Sequence, residues 1–194
     1  WNKKKNELYL FRDRFGVKPL YYWFSGKTFV FASEIKAIIK HPDFKVELNP
    51  EALNEYFTFQ NLFRYHTLFK GVIMLPPANS VKVNVKSTLK HHSWWDYDFS
   101  KPEEKMTFEE AKKETKKLLE KAVARQMISD VPVGTYLSGG MDSGSITALA
   151  SKHVKRLTTF TAGFELSEVH GSESSFDERV DAELMANYFK TEHY

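Results

Sequence analysis

The chain has 194 residues, 42% of them hydrophobic and 27% charged, enough to bury one core with room for a second small one, which excludes a disordered tail or a collagen-like chain. Its 28 Lys and Arg against 25 Asp and Glu leave a net charge of +3, scattered rather than gathered into the block that a nucleic-acid arm needs. With no cysteine, it cannot supply a disulfide, a Cys-ligated zinc or a cysteine nucleophile from these residues. No secretory apolar region opens the chain, and no apolar stretch reaches the roughly 18 residues of a membrane helix. The expectation is a soluble cytoplasmic protein with neither nucleic-acid nor membrane partners. The start at Trp1-Asn2-Lys3 and the stop at His193-Tyr194, straight after a helical pattern, read as those of a piece of a longer protein.

Short aromatic-rich runs at Leu8 to Phe11, Leu20 to Phe24 and Thr28 to Phe31, the last two joined by Ser25-Gly26-Lys27, predict a small antiparallel meander. Ser33 is placed to cap a helix bearing Ile35, Ile38 and Ile39, which ends before Pro42. Asn49-Pro50 starts a second helix, with Leu53, Tyr56 and Phe57 predicted inward. Beyond Pro76-Pro77, Val81, Val83 and Val85 alternate with Lys82, Asn84 and Lys86, the period of a half-exposed strand.

The polar, proline-containing stretch that follows Tyr97 predicts a linker, set at residues 101–106 between domains at 1–100 and 107–194. Thr107 and Glu110 then form a T-x-x-E capping box at the head of a long amphipathic helix. Its predicted apolar face holds Phe108, Ala111, Leu118, Leu119, Ala122 and Met127, with Glu109 and Lys113 one turn apart outside. After it come a strand at Val133 to Leu137, a helix at Ser143 to His153, a strand at Thr158 to Ala162 and a helix at Glu178 to Phe189 with Leu184, Tyr188 and Phe189 as its apolar residues. Strand and helix alternating with short connections argue a parallel sheet built from right-handed crossovers.

Between the first of these strands and its helix lies Ser138-Gly139-Gly140-Met141-Asp142-Ser143. Two glycines there let successive N–H groups converge on an anion, and the helix adds its positive dipole end and unpaired amides. Ser138 and Ser143 offer hydroxyls to phosphate oxygens, and Asp142 makes sense beside them as the holder of a magnesium ion. The bland alternative is a tight turn with Asp142 as helix cap; the six-residue string in its strand-to-helix setting favours a polyphosphate. A Walker loop is excluded for want of its lysine, and a nucleophile elbow because the serine of Gly140-Met141-Asp142-Ser143-Gly144 stands one position late. Ser33-Glu34-Ile35-Lys36 matches S-x-x-K, but no K-T-G follows.

Ser-Gly-Gly-x-Asp-Ser resembles the pyrophosphatase loop of enzymes that cleave ATP between its α and β phosphates. Arg12 to Tyr22 (RDRFGVKPLYY), Phe31 to Ala37 (FASEIKA), Thr67 to Gly71 followed by Leu75-Pro76-Pro77, Asp130 to Gly134 (DVPVG) and Phe160 to Glu165 (FTAGFE) resemble, in the same order, the glutamine-hydrolysing asparagine synthetases. That resemblance implies α+β followed by α/β: the back half of an N-terminal-nucleophile glutaminase fold, then the start of a parallel-sheet ATP pyrophosphatase domain. It implies ATP and Mg2+, with aspartate and glutamine as further substrates, and leaves a homo-oligomer open. Ammonia freed from glutamine would displace AMP from an adenylated aspartate β-carboxyl. By the same likeness Leu137 and Ala162 would join the loop residues as nucleotide contacts, although strand position alone reads them as packing. The family's cysteine nucleophile and glutamine pocket, and its later Ser-Gly-x-Gly-x-Asp-Glu segment, would lie outside these residues. Arg12 and Asp13 are then framework, with a buried ion pair one way of serving it.

Other residues have plainer readings. Asp177, Glu178, Asp181 and Glu183 are expected as a solvated, dipole-matched helix start. His91 and His92 are expected at the surface, and Trp94 and Trp95 over a domain boundary. Rival functions are a lactam-forming relative, an RNA-modifying relative, which the modest +3 charge disfavours, and a non-catalytic nucleotide-binding module.

Overall fold

A computed structural model describes residues 1–84, 88–100, 106–163 and 177–194. Val85, residues 101–105 of the expected linker, and Phe164 and Glu165 lie outside the described residues. The chain divides into two compact units, Trp1–Pro102 and Glu103–Tyr194, in a mixed α/β protein of small sheets.

The first unit holds two three-stranded antiparallel sheets. Strand β1 (Glu7–Phe11) pairs with β5 (Asn79–Asn84), and β5 with β6 (Leu89–Ser93); β2 (Tyr21–Phe24) lies between β3 (Phe29–Ala32) and β4 (Val72–Met74). The expected meander is therefore corrected. β2 and β3 form the hairpin, closed by Ser25 N–H donating to Thr28 O at 3.0 Å, but β1 leaves for β5, with Leu10 opposite Val81. The reason lies in residues 12–20, which wrap around Arg12 instead of turning back.

The Arg12 guanidinium donates to the carbonyls of Lys18 at 3.0 Å, Leu75 at 2.6 Å and Gly16 at 2.8 Å, and the residue is buried. The Asp13 carboxylate accepts from the amides of Phe15, Val17 and Lys18. Hydrogen bonds from these amides, Val17's foremost, hold its carboxyl below the usual range. Both residues are framework. Neither charge is spent on the other, so the ion-pair expectation is corrected: each organises main chain.

Val81 and Val83 are buried with Leu10, Tyr22 and Leu75, while Lys82 between them pairs outward with Glu7 at 2.5 Å, the alternation that a half-buried strand requires. Helix α1 (Ile35–Ile39) sets Ile38 against Phe44 and Val72; its first cap is Glu34, without a side-chain bond, and not Ser33. Helix α2 (Pro50–Phe59) starts as expected, the Asn49 side chain accepting from Ala52 N–H. It buries Ala52, however, and leaves Tyr56 and Phe57 exposed.

In the second unit, α3 (Phe108–Gln126) opens with the full capping box: Glu110 N–H donates to Thr107 Oγ1 at 3.3 Å, and Thr107 N–H to Glu110 Oε2 at 2.8 Å. Its buried residue is Val123, packed with Ala150 and Leu157 and joined by Met127, whereas Phe108 and Leu118, expected inward, are exposed. Glu109 pairs with Lys112 at 3.7 Å rather than with Lys113. Then come β7 (Gly134–Tyr136), α4 (Met141–Ala150), β8 (Thr158–Phe160), α5 (Arg179–Phe189) and β9 (Glu192–His193), the three strands forming one parallel sheet in the order β7-β8-β9. Helix α5 turns Ala182 and Ala186 onto Leu137; Leu184 and Tyr188 point to solvent, against the expected face. Among the described residues no helix is long and apolar enough to cross a membrane.

Candidate functional site

The site starts where β7 ends. Leu137 N–H donates to Phe160 O at 2.9 Å, and the Leu137 side chain is buried against Ala182 and Ala186. Leu137 thus packs as its strand position alone reads it, with its N–H spent on Phe160 O. Ser138 follows, then Gly139 at φ +76, a left-handed conformation that disfavours any side chain. A Cβ there would also stand 2.5 Å from the Asp181 Cβ, because the first turn of α5 rests on this residue.

Gly140, at φ −73 and ψ 159, is the first cap of α4 and has no side chain to satisfy the helix amides. The first main-chain bond of the helix is Gly144 N–H to Gly140 O, at 2.9 Å. The amides of Met141, Asp142 and Ser143 therefore have no partner within the helix. With the helix dipole behind them they face an anion favourably.

Ser143 is laced into the loop. Its Oγ accepts from Ser138 N–H at 3.1 Å, lies 2.9 Å from Ser138 Oγ and donates to Gly140 O at 3.2 Å. A hydroxyl has one proton, so with Ser143 donating to Gly140 O the Ser138 hydroxyl is the donor in the pair, and it must turn from Ser143 to meet an incoming oxygen. Asp142, in the first turn of α4, is exposed, and its carboxylate has no hydrogen-bond or ion-pair partner among the described residues. Met141 is 81% exposed, and Ala162 is exposed just beyond β8. The loop and Ala162 thus share the carboxyl end of the parallel strands, the end at which open α/β sheets bind ligands.

The donor set suits magnesium in one way. No group of three His, Cys, Asp or Glu able to hold a metal exists among the described residues, so no all-protein cage is formed. Mg2+ characteristically takes one or two carboxylates and completes its shell with phosphate oxygens and water. The uncommitted Asp142 beside unpaired amides fits that pattern.

The acidic cluster does not converge. Asp177 pairs with Arg179 at 2.6 Å, and the Arg179 side chain holds its carboxyl below the usual range. Asp181 covers Gly139, and Glu183 is exposed. Trp95 packs within the first unit on Phe15 and Tyr97, with the Arg14 guanidinium over its ring. His91 Nε2 lies 3.3 Å from the Tyr22 hydroxyl.

Two features escaped the sequence reading. Thr161 Oγ1 donates to Leu137 O, yet in sequence it is one more β-branched strand residue. His66 Nε2 meets Glu55 Oε2 at 2.6 Å with no spacing signal to announce it.

Two family models match the chain, one on each unit: the glutamine amidotransferase domain over residues 1–95 and asparagine synthase over residues 114–194. The chain belongs to the asparagine synthetase family. Among curated members of that family, asparagine synthetase [glutamine-hydrolyzing] 3 of Bacillus subtilis is 36% identical over 203 residues, covering 100% of this chain and 33% of its own length. Putative asparagine synthetase [glutamine-hydrolyzing] 2 of Methanocaldococcus jannaschii is 33% identical over 201 residues, covering 100% and 37%. Asparagine synthetase [glutamine-hydrolyzing] 1 of Bacillus subtilis is 36% identical over 167 residues, covering 85% and 26%. The chain spans about a third of the length of the first two synthetases.

Proposed function

We propose that these residues serve a glutamine-dependent asparagine synthetase, with 1–100 as the C-terminal part of an N-terminal-nucleophile glutaminase domain and 107–194 as the N-terminal part of an ATP pyrophosphatase-type synthetase domain. The reaction is amide formation in two steps. The aspartate β-carboxylate attacks the α-phosphorus of ATP, giving an acyl adenylate and releasing pyrophosphate. Ammonia from glutamine then attacks the acyl carbon and AMP leaves. No cysteine is present here, so a cysteine nucleophile for glutamine hydrolysis would come from elsewhere in the protein. The compartment proposed is the cytoplasm, where ATP, aspartate and glutamine occur together.

The observation that carries this reading is the unpaired amide turn Met141–Ser143 behind the Gly139-Gly140 bend, set at the carboxyl end of parallel strands. Adenylation builds negative charge on the departing diphosphate, and fixed N–H dipoles aimed at that charge lower the barrier. Gly139, Gly140, Met141, Asp142 and Ser143 would offer main chain, Ser138 its hydroxyl, and Leu137 and Ala162 would flank the nucleotide. Asp142 would hold magnesium, which when bound neutralises phosphate charge. The test is to supply the intact protein with ATP, magnesium, aspartate and glutamine and to follow products. Asparagine, AMP and pyrophosphate in equal amounts are expected; ATP consumption to ADP, or none, would overturn the proposal.

A further inference from the structure

The peptide unit between Leu137 and Ser138 is held from both sides. Its carbonyl accepts the Thr161 hydroxyl, and its N–H donates to Ser143 Oγ at 3.1 Å. Because a peptide is planar, fixing its oxygen and its hydrogen fixes its rotation about the chain, and with it the direction in which Ser138 and Gly139 set out from the sheet. Thr161 is itself held in place: its N–H donates to Tyr194 O at 2.9 Å, while the neighbouring Tyr194 N–H donates to Thr159 O, also at 2.9 Å. One residue at the end of β8 therefore ties the exit of β7 on one side to the exit of β9 on the other. The next residue is the exposed Ala162.

We infer that Thr161 is a positioning residue for the diphosphate loop: through Leu137 O it sets the plane from which the Ser138 hydroxyl and the α4 amides are presented. The inference rests on the function proposed above. It predicts a role for the hydroxyl rather than for the bulk of the side chain, since the methyl group has no part in the Leu137 bond. Losing one hydrogen bond that orients several donors is expected to cost about tenfold in affinity.

The test uses the intact protein with inorganic pyrophosphate and magnesium as the probe, measured by titration calorimetry, together with amide hydrogen exchange over 138–143. Thr161→Val, which keeps the shape, is expected to bind about tenfold more weakly and to exchange those amides faster, with a fall in melting temperature no larger than one lost hydrogen bond accounts for. Thr161→Ser, which keeps the hydroxyl, is expected to bind within about twofold of the parent. The KM for ATP should rise in Thr161→Val while glutamine hydrolysis is untouched. If Thr161→Val does not fold, Thr161→Ala against Thr161→Ser makes the same comparison. Equal affinity of the hydroxyl-bearing and hydroxyl-free variants would overturn the inference and leave the proposed function standing. Failure of the parent protein itself to bind magnesium pyrophosphate would overturn both.

Discussion

The Cβ of Asp181 occupies the space that a Cβ on Gly139 would need, the two falling 2.5 Å apart. Helix α5 thus backs the loop closely, with Asp181 against Gly139 and with Ala182 and Ala186 buried on Leu137.

The two glycines of the loop should therefore respond differently to the same change. At Gly139 an alanine meets both the Asp181 Cβ and a φ of +76, the conformation alone costing about 1 kcal/mol. At Gly140 the backbone is ordinary, and the nearest atom to an added Cβ is Ser138 Oγ at 3.4 Å. Gly139→Ala is expected to lower both the thermal midpoint and magnesium-pyrophosphate affinity, and Gly140→Ala to leave the midpoint in place. Calorimetry of the two variants checks this, and an equal loss in both would contradict it.

Asp142→Asn should separate chemistry from folding. Among the described residues the carboxylate has no hydrogen bond or ion pair to lose, so stability should stay the same. Its loss as a magnesium ligand should reduce ATP-dependent asparagine formation by about tenfold or more. Product assays across a magnesium series test this, with restored activity at high magnesium as the signature of weakened metal binding. Unchanged synthesis at low magnesium would remove Asp142 from the metal site.

Arg12 should matter to the first unit out of proportion to its single charge. Arg12→Met would leave the carbonyls of Gly16, Lys18 and Leu75 without their shared donor, a loss of about 3 kcal/mol or more. Arg12→Lys should recover little, because an ammonium cannot reproduce the planar fork. Urea unfolding of both variants gives the comparison.

Tyr22 provides a pH-dependent expectation. Burial pushes its phenol up to about 12, whereas an unfolded tyrosine ionises near pH 10, as about 10 is the ordinary value. The stability contributed by the neutral buried phenol is complete below the unfolded value and is lost as the pH rises through the folded one. The alkaline loss should be of the order of 1–2 kcal/mol. Denaturant unfolding between these limits should fall less steeply in Tyr22→Phe than in the parent.

Local signals in the sequence were legible. The Thr107–Glu110 box and the Asn49 cap depend on residues within three positions of one another, and each forms as residue chemistry predicts; the Ser138–Ser143 bend is equally local, but the Ser143 hydroxyl, expected to face a ligand, is bonded inward to Ser138 N–H and Gly140 O. Long-range pairing was not legible: nothing in Leu8 to Phe11 says that the strand belongs with Val81 rather than with Tyr22, because alternation sets a face and not a partner. The inward face of α5 was misjudged for a similar reason. Hydrophobic strength favours Leu184 and Tyr188, but the residues that pack on Leu137 are Ala182 and Ala186 with Met185 beside them, and the glycines opposite, Gly139 and Gly144, give room to Asp181 and Met185. Of the candidate site, the glycine bend between strand and helix was readable and the Thr161 bond to Leu137 O was not, since a strand-end threonine looks the same whether or not its hydroxyl crosses to the next strand.

The contact of Ser143 with Ser138 and Gly140 closes a ring only a few residues around, so little chain entropy opposes it. A loop that keeps its shape without help does not charge an arriving anion for ordering it, and more of the contact energy is left over as affinity. If the bend holds a diphosphate as proposed above, capture and release would need no rearrangement of its main chain, and turnover there would be set by how fast the diphosphate can leave.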